Sequence, residues 1–471
     1  MQTVNQPTQP EQINTVVVKK TPTTTGAYSL NDLYHARKLV EFHGQHIRHC
    51  PKLGGFFIWN GRHWTPDEEG QLWRWTIQTA AHAYNADFSK AANNERVRLN
   101  KWITRAQSGA SVQQTLKQLQ NQPEIMVTPD HFDRDPWLFN VNNGAIDLRT
   151  GKLREHRPED MITKLAPIDF NPACPQPGLW TNFLKEIFGG NQNLVNFIKR
   201  VCGYALTGSV AEQKLFLLHG AGANGKTTFL ETLMFVMGDY SLPLSSELLF
   251  SSRRRTHPPE FADLKECRLA AVTEVEFNKS LSEPAVKKLT AANPLAVRPT
   301  RRDRLEFDSS HKLFICADHI PIIQTTDHAI WRRITMIPFN VTIPEERQDK
   351  DLPQKLRAEA RGILNWLVAG CLEWQKTGLD SPAEVTDAIN AYRGDMDPLG
   401  AFLADRCDIA PEARENSADL YSSYTDWCEC NDERPLCPRL FGMRLRERGF
   451  KPERTMFHRI WQGLTRKEIN L

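Results

Sequence analysis

The hydrophobic pattern changes period several times along the chain, and those changes divide it. Residues 1–28 are Gln-, Thr- and Pro-rich without apolar periodicity, which predicts a disordered leader. From Ser29 the pattern becomes globular. Ser29-Leu-Asn-Asp reads as a helix start running into Leu33–Phe42. Gly55-Phe-Phe-Ile-Trp-Asn-Gly-Arg-His-Trp reads as two short strands joined at Asn60-Gly61. Trp73 to about Gln122 is helical in period, Asn140–Leu153 carries glycine turns between short strands, and Trp180–Thr207 is helical again. Four short apolar runs follow, within Lys214–His219, Arg268–Glu276, Lys312–Asp318 and Ile330–Phe339, each of buried-strand length. Gln354–Trp374 is a long amphipathic helix, and from Ser381 helices alternate with turns to Leu471. The pattern predicts an α/β protein. A mixed, mainly helical amino-terminal domain (29–209) precedes a parallel-sheet domain (210–380), and a smaller domain (381–471) follows.

Composition narrows this only a little. A chain of 471 residues holds two to four domains, and a formal net charge of +3 means that any basic surface is local. Its 10 cysteines lack the spacing of a disulfide framework, which suits a reducing compartment. No run approaches the ~20 apolar residues of a membrane span. The amino terminus has no secretory apolar core. The expectation is a cytoplasmic protein without a membrane partner. Aromatic residues between Phe56 and Trp75 read as the core of a small sheet rather than a base-stacking platform.

The strongest chemical signal lies at Gly220-Ala221-Gly222-Ala223-Asn224-Gly225-Lys226-Thr227-Thr228. It fits Gly-x-x-x-x-Gly-Lys-Thr between a strand and a helix, the loop of P-loop NTPases. Gly220 and Gly225 let the backbone curl so that N–H groups point inward, and the following helix offers its positive N-terminus to phosphate. Lys226 would reach the β- and γ-phosphates of ATP, and the Thr227 hydroxyl would hold Mg²⁺.

Downstream, phosphoryl transfer needs an acid, a polar sensor and an arginine. The run from Arg268 delivers Glu274, the first choice for the acid and metal partner, with Glu276 as the second. The run from Lys312 delivers Asp318, and Arg332 and Arg333 head the fourth run. Leu295-Ala-Val-Arg298 and Arg304-Leu-Glu-Phe flank a turn bearing Arg301 and Arg302. They read as a hairpin whose four arginines suit phosphate contacts. The end of the chain is basic, from Arg439 to Lys467, which suits duplex DNA.

Together these motifs resemble the superfamily 3 helicases. More narrowly, they resemble the satellite-phage and plasmid primase–helicase family with its poxvirus relatives. The segment before the loop resembles that family's accessory domain, and the last segment its winged-helix domain. The resemblance implies an AAA+-like core and a hexameric ring gripping single-stranded DNA with its hairpins. It makes Glu274 the Walker B acid, Arg301 and Arg302 the channel hairpin, and Arg333, backed by Arg332, the arginine finger of a neighbouring subunit. Two departures stand out. The family has Asn where this chain has Asp318, and the segments before the loop are too short to add a primase domain.

These readings give an ATP-dependent DNA helicase for a phage, plasmid or other mobile element, working with a separate primase or polymerase. Two alternatives remain open on the residues: an origin-binding protein that uses ATP as an assembly switch, and a nucleic-acid-pumping packaging ATPase.

Overall fold

The computed structural model describes residues 30–88, 93–250, 259–275, 279–297, 305–323, 327–431, 433–455 and 458–467. The expected leader lies outside them. Two compact units emerge.

The first unit, residues 30–44 and 69–125, is helical: Asp32–His43, Gln71–Phe88, Asn93–Ala106 and Gly109–Leu119. Asn31 caps the first helix, its Oδ1 accepting from Tyr34 N at 2.9 Å, as expected of Asn at that position. Tyr34, Ala80, Leu99, Trp102 and Ala106 form the core. His35 sits among them, Nε2 at 2.8 Å from Thr76 O and Nδ1 at 3.2 Å from Thr115 Oγ1.

The second unit is built around a parallel sheet. Its strands, numbered in chain order, are β1 (Leu215–His219), β2 (Ser241–Pro243), β3 (Leu269–Val272), β4 (Lys312–Ala317) and β5 (Ile334–Pro338). They lie in the order β5-β1-β4-β3-β2, all parallel. Alternate residues feed two cores, which is why these strands read as unbroken apolar runs. Phe216, Leu218, Ala271, Phe314, Cys316 and Ile337 face the helices Gly178–Ile187, Gln192–Ala205, Lys226–Met237 and Ala360–Thr377. Leu215, Leu217, Ala270, Val272, Leu313, Ile315 and Met336 face the other side, with Leu249, Leu264, Val286 and Trp331.

Two small antiparallel sheets precede this core. One pairs Gly55–Trp59 with Ile47–Cys50 and with Trp64–Pro66. Its turn is the Asn60-Gly61 corner, where Asn60 Oδ1 accepts from Arg62 N at 2.9 Å and His63 N at 3.0 Å. Phe57 and Trp64 enter a core with Cys50 and Phe132, the packing role expected of these aromatics. The other sheet joins Leu138–Val141, Gly144–Asp147 and Lys152–Arg154.

After the long helix, Ala383–Asp395 lies along edge strand β5. Val385 enters the first core and Tyr392 the second. The expected boundary at 380/381 therefore falls just before a helix that covers the open edge of the sheet. A small domain follows in the order helix Pro398–Arg406, strand Cys407–Asn416, helices Ser417–Cys430 and Pro438–Glu447, strands Lys451–Arg454 and Arg459–Arg466. Its last strand is central in a three-stranded antiparallel sheet, over a core of Phe402, Tyr424, Phe441, Leu445, Trp461 and Leu464.

Candidate phosphate-binding site

β1 ends at His219, and the chain turns through Gly220 to Gly225 into the helix Lys226–Met237. The turn is tight. Gly222 N donates to Gly220 O at 2.9 Å, and Gly222, Ala223 and Gly225 take φ of 76°, 47° and 79°. Gly225 is required twice over. Its φ is left-handed, and a Cβ there would stand 2.7 Å from Ile187 Cγ2. At Gly220 a Cβ would stand 2.2 Å from Phe339 O. Gly225 gives the helix no side-chain cap, so its first N–H groups turn toward the loop. Backbone bonds from Ile343 N to Ala223 O and Phe339 N to His219 O, each 2.7 Å, pin the loop against the chain beyond β5.

Lys226 is only 4% exposed, unusual for lysine, and it is fully partnered. Nζ donates to Gly220 O at 2.7 Å and to Asn224 Oδ1 at 2.8 Å, and pairs with Asp318 Oδ1 at 2.8 Å. Asn224, itself buried, donates Nδ2 to Phe339 O at 3.2 Å and so fixes the oxygen that Lys226 uses. Burial and then the Lys226 charge push the His219 imidazole below its ordinary pKa, so it stands neutral beside the ammonium at pH 7.

Strand register brings the acids to the same edge. Ala317 pairs with His219, and Ile315 with Val272. Asp318 follows β4 directly, and Glu274 lies two residues past β3, exposed. Thr227 is exposed in the first helical turn and Thr228 is half-buried. Glu276 lies outside the described residues. A buried lysine, the N-terminus of a helix and exposed carboxylate and hydroxyl oxygens thus share the carboxyl edge of a parallel sheet. This arrangement can cradle a phosphate and position a metal or a water beside it.

Arg332 and Arg333 do not join this group. They precede β5, whose Ile334 pairs with Leu215 at the opposite edge. The length of β5, roughly 16 Å at ~3.3 Å per residue, separates them from their own loop. Arg332 Nη2 contacts Gln213 Oε1 at 3.2 Å, and half-buried Arg333 donates Nη1 to Ala329 O at 2.6 Å. The hairpin expected between β3 and β4 has its base in place, Leu295–Val297 pairing antiparallel with Leu305–Phe307. Its arginines, Arg298, Arg301, Arg302 and Arg304, lie outside the described residues.

Two buried basic side chains were not anticipated. Arg268 donates to Leu206 O at 2.5 Å and Leu138 O at 2.6 Å, beneath Tyr240 at 4.5 Å from the ring centre. Lys312 donates to Thr207 O and to Ser310 O at 3.0 Å, over the Tyr204 ring. They tie the preceding sheet and helix to the starts of β3 and β4. The available signal was a lone basic residue heading each apolar run.

Two family models and several viral proteins resemble parts of this chain. Residues 35–189 match the family model described as D5 N terminal like, and residues 218–333 match one described as a family of unknown function. A protein named as a putative helicase from Acanthamoeba polyphaga mimivirus is 24% identical over 374 residues, 74% of this chain and 38% of that one. One named as a putative primase from African swine fever virus is 23% identical over 421 residues, 78% of this chain and 44% of that one. One named as a putative helicase from Invertebrate iridescent virus 6 is 24% identical over 398 residues, 75% and 40%. The chain spans about two fifths of the length of these curated relatives. A solved structure titled "The A form apo structure of NrS-1 C terminal region-CTR" aligns with 80% of this chain and 78% of that one at 11% identity, TM-score 0.49. Among the described residues, no helix is long and apolar enough to cross a membrane.

Proposed function

We propose that the chain is an ATP-driven DNA helicase motor of the superfamily 3 type, working as a ring on single-stranded DNA. The observation that carries this reading is the buried Lys226 in a glycine loop between β1 and its helix, with Asp318 and Glu274 at the same sheet edge.

In this reading the loop N–H groups and Lys226 bind the ATP phosphates. Glu274, with Glu276 beside it in sequence, orients the attacking water. Thr227 and Glu274 present exposed oxygens of the hard type that Mg²⁺ takes; they would hold it, and it neutralises charge on the transferring phosphoryl group. Arg333, with Arg332 as backup, serves the neighbour's site, because its own lies a strand length away. The hairpin arginines at 298, 301, 302 and 304 contact the DNA backbone. The last domain has the element order of a winged helix, and its helix Pro438–Glu447 exposes Arg439 and Arg446 for duplex.

The test is ATP hydrolysis with and without single-stranded DNA, followed by strand displacement on a forked duplex. Stimulated hydrolysis with displacement is expected. Hydrolysis without displacement would replace the motor by an ATP-dependent switch, and absence of hydrolysis would overturn the ATPase reading.

A further inference from the structure

The helix Ala383–Asp395 connects the sheet domain to the last domain, and it is anchored at both ends. Near its start Asn191 Nδ2 donates to Glu384 Oε1 at 2.5 Å. Near its end Tyr392, 1% exposed, donates its hydroxyl to Pro321 O at 2.5 Å. The same ring meets Trp331 edge-on, centroids 5.1 Å apart at 78°.

Both contacts fall beside groups the reaction needs. Pro321 follows Asp318 by three residues, and Trp331 precedes Arg333 by two. The Pro321 segment also meets the chain beyond the first acid, at Lys279 and Leu281. Ile322 N donates to Lys279 O at 3.0 Å and Leu281 N to Ile322 O at 2.9 Å, so the chain that follows Glu274 is clipped to it. One buried side chain therefore holds the loop that follows Asp318 with its hydroxyl, and the short helix His328–Trp331, which ends just before Arg332 and Arg333, with its ring. Asp318 faces the protein's own phosphate loop and Arg333 lies at the far edge. Tyr392 fixes the spacing between what a subunit keeps and what it would present to a neighbour.

We propose that Tyr392 is a positioning residue that sets Asp318 and Arg333 relative to one another, so that the two halves of a shared ATP site are in register. This rests on the ATPase reading above. A buried phenol on a carbonyl is suited to the task, because losing it leaves that carbonyl unsatisfied and the loop free to shift. The ring alone keeps the Trp331 contact, so the two functions separate by substitution.

The experiment compares wild type, Tyr392→Phe and Tyr392→Leu by hydrogen exchange, nucleotide affinity and steady-state hydrolysis. In Tyr392→Phe, amides at 319–323 should exchange roughly tenfold faster while those at 328–333 stay protected. ADP affinity should hold within about twofold while kcat falls roughly tenfold, an effect on the transition state alone. In Tyr392→Leu both segments should loosen and kcat should fall further. Unchanged exchange at 319–323 in the Phe variant would overturn the proposal. So would a kcat equal to wild type, or a parallel loss of affinity, kcat and melting temperature, which is what a merely structural residue produces. A wild type that binds ADP yet hydrolyses nothing refutes the underlying ATPase reading, and the exchange result still decides whether Tyr392 holds the two segments.

Discussion

Asp318→Asn tests how the phosphate loop is poised. The carboxylate pairs with Lys226 Nζ at 2.8 Å, and Lys226 is the group that must meet phosphate. Two unit charges at that distance attract by about 6 kcal/mol at an effective dielectric of 20 and by about 1.5 kcal/mol in water. The Asp318 side chain is 61% exposed, so the screened end of this range applies, about 1–2 kcal/mol. Asparagine keeps an oxygen for Lys226 but removes the charge that competes with phosphate, and it removes the repulsion between a carboxylate and the incoming anion. Both effects have the same sign. Affinity for Mg²⁺-free ADP should rise about 5- to 30-fold, read by calorimetry or by a fluorescent nucleotide. The gain should shrink at high salt, because an exposed pair is screened. Unchanged or weaker Mg²⁺-free binding would refute the reasoning and mean that Asp318 organises the loop rather than restraining its lysine. Hydrolysis is the separate question. If Asp318 stands only where the family has Asn, the variant should match or exceed wild type.

Four further outcomes follow from the same geometry. Glu274→Gln should bind ATP normally and lower kcat by roughly 100-fold, whereas wild-type turnover would move the role to Glu276. Arg333→Ala and Lys226→Ala should each be nearly inactive, and mixed rings should regain hydrolysis at interfaces that pair an intact Lys226 with an intact Arg333; mixed rings as dead as their parents would end the shared-site reading. Gly225→Ala should lower stability by about 2 kcal/mol or more, since its φ of 79° and the Ile187 contact both oppose a Cβ; a melting temperature within a degree of wild type would contradict this. Burial, aided by Lys312, pushes the His311 imidazole down to about 4, so between that value and its ordinary ~6.5 the unfolded chain holds more protons. Stability should therefore be full above pH ~6.5 and fall by up to about 3 kcal/mol as pH drops toward 4, and His311→Leu should flatten that slope in urea titrations.

Much of the site was legible in the sequence because its signals are local. A strand-length apolar run, a Gly-x-x-x-x-Gly-Lys-Thr loop and a helical segment are neighbours along the chain, so their meeting in space needs no long-range information. The Asn60-Gly61 hairpin and the base of the arginine hairpin were readable for the same reason, as turn chemistry acts within a few residues. The departure at Asp318 was visible in the sequence, but what faces its carboxylate was not: the fold pairs it with Lys226.

The sequence by itself marked four of the five strands of the parallel sheet, the two strand ends that carry Glu274 and Asp318, and the curl of the glycine loop, but neither β2 nor the three strands of the last domain. Burial on both faces demands unbroken apolar runs, and left-handed turns demand glycine. The tertiary structure alone decided the order β5-β1-β4-β3-β2, and with it everything that depends on which strands are neighbours. Placing β4 beside β1 brings Asp318 onto Lys226, and placing β5 parallel to β1 puts Arg333 at the edge away from its own loop. The same packing buries Arg268 and Lys312 against carbonyls far away in sequence, and lays Tyr392 across the edge strand. A hydrophobic pattern states that a face must be covered and is indifferent to what covers it. Partner choice is settled by shape, register and the need to satisfy each buried polar group, and those are properties of the assembled fold.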